Sequence, residues 1–147
     1  MQRSFIMIKP DAVQRGLAGE IIKRIENKGF RLLGLKMLQI DEVLAFKHYE
    51  EHRGKAFFEE LLSFITSGPV IAMVWEGTEA INSMRLLMGS TNPAAAAPGT
   101  IRGDLAVSLD KNIIHGSDSP EAARREIALF FKEEEILDYN RSLDKWI

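Results

Sequence analysis

The run Val70-Ile71-Ala72-Met73-Val74-Trp75 constrains this chain more than any other stretch. It is apolar throughout, rich in β-favouring side chains and preceded by the helix-stopping pair Gly68-Pro69, so it reads as a strand placed centrally in a sheet. Phe5-Ile6-Met7-Ile8 is likewise continuous and apolar, as expected of a strand covered on both faces. Two such strands demand apolar layers above and below them. A chain of 147 residues, 46% hydrophobic, has enough material for one sizeable core, and one domain over residues 1–147 is expected.

Periodicity and caps locate the helices. Ile21, Ile22 and Ile25 recur at helical spacing between Gly19 and Lys28, and Gly29 is a natural C-cap before a second strand over 31–40. Asp41 can cap a helix running to about His52, and after Gly54 a second helix covers about 56–66, which makes a helical hairpin. Thr78 caps a further helix to about Met88, whose apolar stripe has Arg85 at its border. From Gly89 to Gly103 the pattern fails, and a long loop holding Ala94-Ala95-Ala96-Ala97 ends on Arg102-Gly103-Asp104. Ser119-Pro120 starts a last helix to about Lys132, and residues 136–147 form a tail that wraps the surface or a neighbouring subunit. Alternating strands and helices indicate an α/β or α+β sandwich; periodicity leaves the strand order open.

Charge and composition narrow the function. A net charge of -2 gives no general reason to expect nucleic-acid binding. With no cysteine there is neither a disulfide framework nor thiolate chemistry, which suits the cytoplasm. No run approaches a membrane span, and Met1-Gln2-Arg3 leads straight into a strand with no small-residue cleavage site, so a soluble, unprocessed chain is expected.

The chemistry gathers at Asn112-Ile113-Ile114-His115-Gly116-Ser117-Asp118-Ser119, where a buried strand is expected to deliver an imidazole into a turn. Gly116 there suits a tight turn or close ligand approach, and the helix start after Ser119 suits an anion. Projected at 100° per residue, Glu126 falls in the middle of the apolar face of Ala122, Ala123, Ile127, Leu129 and Phe130. A carboxylate there needs a hydrogen-bonding or charged partner, and His115 is the nearest candidate in sequence. Lys9, Arg85 and Arg102 suggest phosphate, yet the chain has no G-x-x-x-x-G-K-[S/T] loop, no G-x-G-x-x-G turn and no H-R-D loop. A rival motif, His48-Tyr49-Glu50-Glu51-His52, matches the inverted zincin pattern H-x-x-E-H and would put two imidazoles on one helix face, although no third zinc ligand is identifiable.

Ile8-Lys9-Pro10-Asp11-Ala12-Val13, Thr91-Asn92-Pro93, Pro98-Gly99-Thr100-Ile101-Arg102-Gly103-Asp104 and the His115 stretch, in that order, resemble the nucleoside diphosphate kinase family over nearly the whole chain. The resemblance implies an α+β fold, a ferredoxin-like βαββαβ sandwich with an antiparallel sheet. It also implies an enzyme that moves the terminal phosphate of a nucleoside triphosphate onto a nucleoside diphosphate by a ping-pong route. His115 matches the nucleophile, phosphorylated on a ring nitrogen, and Glu126 the carboxylate that orients it. Lys9, Arg85 and Arg102 match the cations around the phosphates, Thr91 and Asn112 the phosphate and ribose contacts, and Tyr49 a residue beside the histidine. Phe57 and Leu61 match the slot where the base stacks; by spacing alone both would be assigned to core. Magnesium (Mg2+) would ride on the nucleotide phosphates with no direct protein ligand. A module that kept the fold without turnover would be expected to lack His115 or the cations, and all are present. The departures, Ala94 to Ala97, Leu105 and Lys111, fall in or near the loop that relatives use for subunit contacts. Relatives form homo-oligomers, hexamers or tetramers, and the long tail favours the hexamer.

Overall fold

Four strands, β1 (Gln2–Ile8), β2 (Arg31–Leu38), β3 (Val70–Gly77) and β4 (Ile114–Gly116), form one antiparallel sheet in the order β2-β3-β1-β4. The computed structural model describes residues Met1–Ile147. Between the strands lie α1 (Pro10–Gln14), α2 (Ala18–Lys28), α3 (Glu42–His48), α4 (Phe58–Ile65), α5 (Ala80–Met88) and α6 (Ile101–Leu105), with α7 (Pro120–Phe130) after β4. This is the ferredoxin-like α+β arrangement, with the α3–α4 hairpin joining β2 to β3.

The two apolar runs occupy the sheet centre because only there are both faces covered. Along β1, Phe5 and Met7 join the core beneath α3, α4 and α7, whereas Ile6 and Ile8 join the core beneath α2 and α5; all four have no exposed surface. Trp75 and Val74 divide between the same two cores. Each such side chain contributes about 1.5–3 kcal/mol by leaving water. The pairing of Met7 with His115 puts the histidine on the α3–α4–α7 side, level with Phe5 at 6.0 Å between ring centroids.

Several local expectations change. The strand that seemed to carry His115 starts only at Ile114, because Ile113 has a φ of +64°, outside any strand conformation. Thr78 does not cap α5: the N-cap is Glu79, at φ +48° and without a side-chain hydrogen bond. The helix expected through His52 ends at His48. Tyr49 leaves helical geometry (φ −102°, ψ 17°) and residues 50–52 form a 3₁₀ turn, so the two imidazoles of the H-x-x-E-H run do not stack on one helix. Asp41 and Ser119 do cap, accepting from Leu44 N–H at 2.8 Å and Ala122 N–H at 3.0 Å. The tail closes the β2 edge: Leu137 N–H donates to the Leu33 carbonyl at 2.8 Å, the Tyr139 hydroxyl to that of Leu32 at 2.6 Å, and the Arg141 guanidinium to Gly29 and Phe30 at 3.0 Å. No helix is long and apolar enough to cross a membrane.

Candidate active site

A cleft of about 1270 Å³ opens between the α3–α4 hairpin, the start of α1 and the loop before β4, and His115 reaches its floor with a quarter of its side chain exposed. Behind the ring, Glu126 on α7 is 3% exposed. Its Oε2 lies 2.6 Å from His115 Nε2, and its Oε1 accepts from the Ser117 hydroxyl at 2.6 Å. The apolar face that made this acid suspect therefore carries it to two donors. Burial pushes the carboxyl pKa up, but the His115 hydrogen bond and charge, with the Ser117 bond, outweigh it and hold Glu126 below its ordinary value. An ionised acceptor at Nε2 assigns the neutral ring its proton there, which leaves the lone pair on Nδ1.

His48 packs edge-on against His115, 4.9 Å between centroids at 80°, and neither of its ring nitrogens has a hydrogen-bond partner. Burial, and then the neighbouring His115, lowers its pKa to about 3, although Glu126 acts the other way. It is therefore a neutral wall on the deep side of His115. His48, His115 and Glu126 place one ligand atom each within 4.8 Å of the others, a set that can be considered for a metal. The 2.6 Å separation between His115 and Glu126 is that of a hydrogen bond, well short of the roughly 3.3 Å between two ligands around a tetrahedral zinc. His52, half exposed in the 3₁₀ turn, lies outside this trio, with Lys55 Nζ at 3.1 Å.

The loop that delivers His115 is a γ-turn of the rarer, positive-φ kind: Ile114 N–H donates back to the Asn112 carbonyl at 2.8 Å across Ile113. For a β-branched residue this costs about 1–3 kcal/mol, and it persists because the surroundings over-determine it. Arg102, 3% exposed, donates to the carbonyls of Asn112 at 3.2 Å, Ile114 at 2.6 Å and Gly89 at 3.0 Å. Lys9 Nζ donates to Asn112 Oδ1 at 2.8 Å, and Asn112 Nδ2 to the Thr91 carbonyl at 3.0 Å.

The residues singled out in the sequence are distributed around this point. Lys9, Tyr49, Phe57, Leu61, Thr91, Asn112 and His115 line the cleft. Phe57 is 45% exposed at its mouth, one turn before Leu61, while the neighbouring Phe58 fills the core. Arg85 and Arg102 do not line it: Arg85 donates to the Gly116 carbonyl at 3.2 Å and Arg102 lies beneath the floor, although three of its five N–H groups account for its carbonyl bonds and two remain. The cations crowd one another. Lys9 is lowered to about 8 by burial and then by Arg102, with Asp11 opposing, and Arg102 to about 10 by burial and then by Arg85. Such a group is relieved by an anion, not by a bare metal cation.

Sequence reasoning missed Ser117, the wall formed by His48, and Asp11, whose Oδ2 accepts from Ile113 N–H at 3.1 Å. Gly116 is also not where it was expected. It sits inside β4, where a Cβ would collide with Met88 and Ile6, so its role is close packing of strand against α5.

Comparison with known proteins decides the family. The family model described as nucleoside diphosphate kinase matches residues 2–136. The chain belongs to the nucleoside diphosphate kinase family. A nucleoside diphosphate kinase from Carboxydothermus hydrogenoformans is 65% identical over 147 residues, covering 100% of this chain and 99% of that one, and one from Listeria monocytogenes is 58% identical over the full length of both. The solved halophilic nucleoside diphosphate kinase from Halobacterium salinarum, a complex with CDP, superposes with a TM-score of 0.96 at 54% identity, covering 99% and 97% of the two chains. A nucleoside diphosphate kinase family protein from Babesia bovis superposes at 0.97 with 49% identity, covering 99% of each.

Proposed function

We propose that His115 is the phosphate carrier of this nucleoside diphosphate kinase. The chain transfers the terminal phosphate of a nucleoside triphosphate to a nucleoside diphosphate by a ping-pong mechanism. The observation that carries the residue assignment is the 2.6 Å bond from His115 Nε2 to Glu126, which leaves Nδ1 as the free nucleophile on the cleft floor. In the first half-reaction the Nδ1 lone pair attacks the γ-phosphorus, the bond to the bridging oxygen breaks, and the diphosphate leaves with that electron pair. The positive charge acquired by the ring is met by Glu126. The second half-reaction runs the same step backwards onto a new diphosphate.

Lys9 and the free N–H groups of Arg85 and Arg102 stabilise charge on the transferring group. Thr91 binds phosphate, Asn112 the ribose, and Tyr49 flanks the nucleophile. Phe57 and Leu61 hold the base by stacking, which asks little of its edge and gives weak base selectivity. Members of the family use a divalent cation; here we assign Mg2+, bound by the nucleotide phosphates without a direct protein ligand, in keeping with the crowded cations Lys9, Arg85 and Arg102 around His115, which repel a bare cation there. When bound, it neutralises part of the phosphate charge.

A nucleoside-diphosphate exchange assay with ATP and GDP tests this reading. Parallel double-reciprocal lines are expected, and intersecting lines would rule out a ping-pong carrier. Run across pH, the same assay reports on Lys9. A lysine lowered to about 8 is charged below that pH and neutral above it, so kcat/KM should fall above pH 8, about tenfold per unit, with Lys9→Arg moving the fall to higher pH. An identical alkaline limb in both proteins would exclude Lys9 as its source.

We further propose that residues 1–147 act as one domain in the cytoplasm and assemble as a homo-oligomer, with a hexamer ahead of a tetramer. Leu35 and Met37 are 47% and 59% exposed on the β2 edge, and Trp146 and Ile147 80% and 68% exposed in the tail, more apolar surface than an isolated chain needs. Light scattering should give six chains per particle; a monomer mass would sink the assembly proposal and a four-chain mass would select the tetramer.

A further inference from the structure

Resting on the reading of His115 as phosphate carrier, we propose that Asp11 is a positioning residue, which holds the Ile113 amide and so keeps the strained turn that aims His115 into the cleft. The argument begins with the backbone. Ile113 is fully buried with φ +64°, a conformation an isoleucine leaves unless its peptide groups are held from outside. The carbonyls of the turn are so held. The Asn112 carbonyl receives Ile114 N–H and Arg102 Nε, the Ile114 carbonyl receives Arg102 Nη2, and the Ile113 carbonyl receives Lys9 N–H at 3.0 Å.

The Ile113 N–H has no backbone partner, and Asp11 Oδ2 accepts from it at 3.1 Å from 102 residues away in sequence. Its placement is fixed by α1: Pro10 sets the first helical position, and Val13 N–H closes onto the Lys9 carbonyl at 3.1 Å. One short segment thus grips both backbone polar groups of Ile113, the carbonyl by the Lys9 backbone and the N–H by the Asp11 side chain. Without the carboxylate the amide is an orphan beside the cleft, and turning the Asn112–Ile113 peptide towards a relaxed conformation satisfies it. That rotation redirects Asn112 and the start of β4, and His115 with it. What Asp11 supplies in this account is an acceptor, not a charge.

The experiment compares Asp11→Ala with the isosteric Asp11→Asn, which keeps a carbonyl acceptor and loses the charge. Two readouts are taken: hydrogen exchange at the Ile113 amide without nucleotide, and the single-turnover rate of His115 phosphorylation at saturating ATP and Mg2+. The alanine variant should exchange Ile113 at least about tenfold faster and, at saturating ATP, phosphorylate about 10- to 100-fold slower. At a pH well below 8, where Lys9 stays charged in both proteins, the asparagine variant should stay within about threefold of wild type in both. Wild-type behaviour of Asp11→Ala overturns the proposal, as does a loss in Asp11→Asn equal to that in alanine, which would mark a charge effect. If the wild type itself takes no phosphate on His115, the functional reading fails, and the Ile113 exchange rates still decide whether Asp11 holds the turn.

Discussion

His115→Ala should lose nucleotide exchange by five orders of magnitude or more, on the order of what removing a covalent nucleophile costs elsewhere, while CDP or ADP still binds. The reason is geometric. His115 is the only imidazole hydrogen-bonded to a buried carboxylate: His48 is walled in without a hydrogen bond, and His52 sits at the rim beside Lys55, with only the exposed Glu51 carboxylate at 3.7 Å. No neighbouring group can take over a bond to phosphorus. The fold should survive, because His115 is partly exposed and its removal leaves the strand pairing with β1 intact. Exchange kinetics, with isothermal titration of the diphosphate, check both halves of this expectation. Residual exchange above about 1% of wild type would mean that another group carries the phosphate.

Glu126→Ala should lower the rate of phosphoenzyme formation by about 10²–10⁴-fold, and Glu126→Gln by about 10–100-fold. The alanine leaves Nε2 without its acceptor in a buried space and the Ser117 hydroxyl with only the longer bond to the Phe5 carbonyl at 3.3 Å, so the ring is free to rotate and to carry its proton on Nδ1, the atom that must attack. The amide keeps one acceptor but loses the negative charge that meets the developing imidazolium. Single-turnover labelling with ATP measures the rate, and nucleotide Kd should stay within about threefold because Glu126 does not line the cleft. A large change in Kd at constant rate would place Glu126 in binding rather than in orienting the ring.

How much of this was legible depends on the residue. The central strands could be read directly, since Phe5 to Ile8 and Val70 to Trp75 have no polar alternation and neither face can meet water. Glu126 could be suspected because helical projection sets it among apolar neighbours, and such a carboxylate requires a partner. His115 and Glu126 lie 11 residues apart, close enough for that partnership to be guessed. The Asp11 contact spans 102 residues and depends on the strand order that brings β4 beside β1, information that local pattern does not contain.

Ile113 misled for a related reason. A β-branched residue next to another isoleucine counts as strand on propensity, and only the surrounding hydrogen bonds from Arg102, Lys9 and Asp11 stabilise its positive φ. The H-x-x-E-H match failed because the motif presumes a continuous helix. Tyr49 ends α3 early, and its burial among Phe5-side core residues turns His48 inwards and leaves His52 at the rim. Arg102 shows the opposite case: its sequence position suggested phosphate, and the structure adds that it also clamps the turn from below.

The most direct test of the account is to mix the protein with γ-labelled ATP and Mg2+ without any diphosphate, quench within milliseconds, and locate the label by alkaline digestion and phosphorus NMR. The account predicts one phosphate per chain, released ADP in equal amount, and the phosphorus on Nδ1 of His115, acid-labile and transferable to added GDP. Exchange that proceeds with no covalent phosphate, or phosphate found on Nε2 or on another residue, would contradict it.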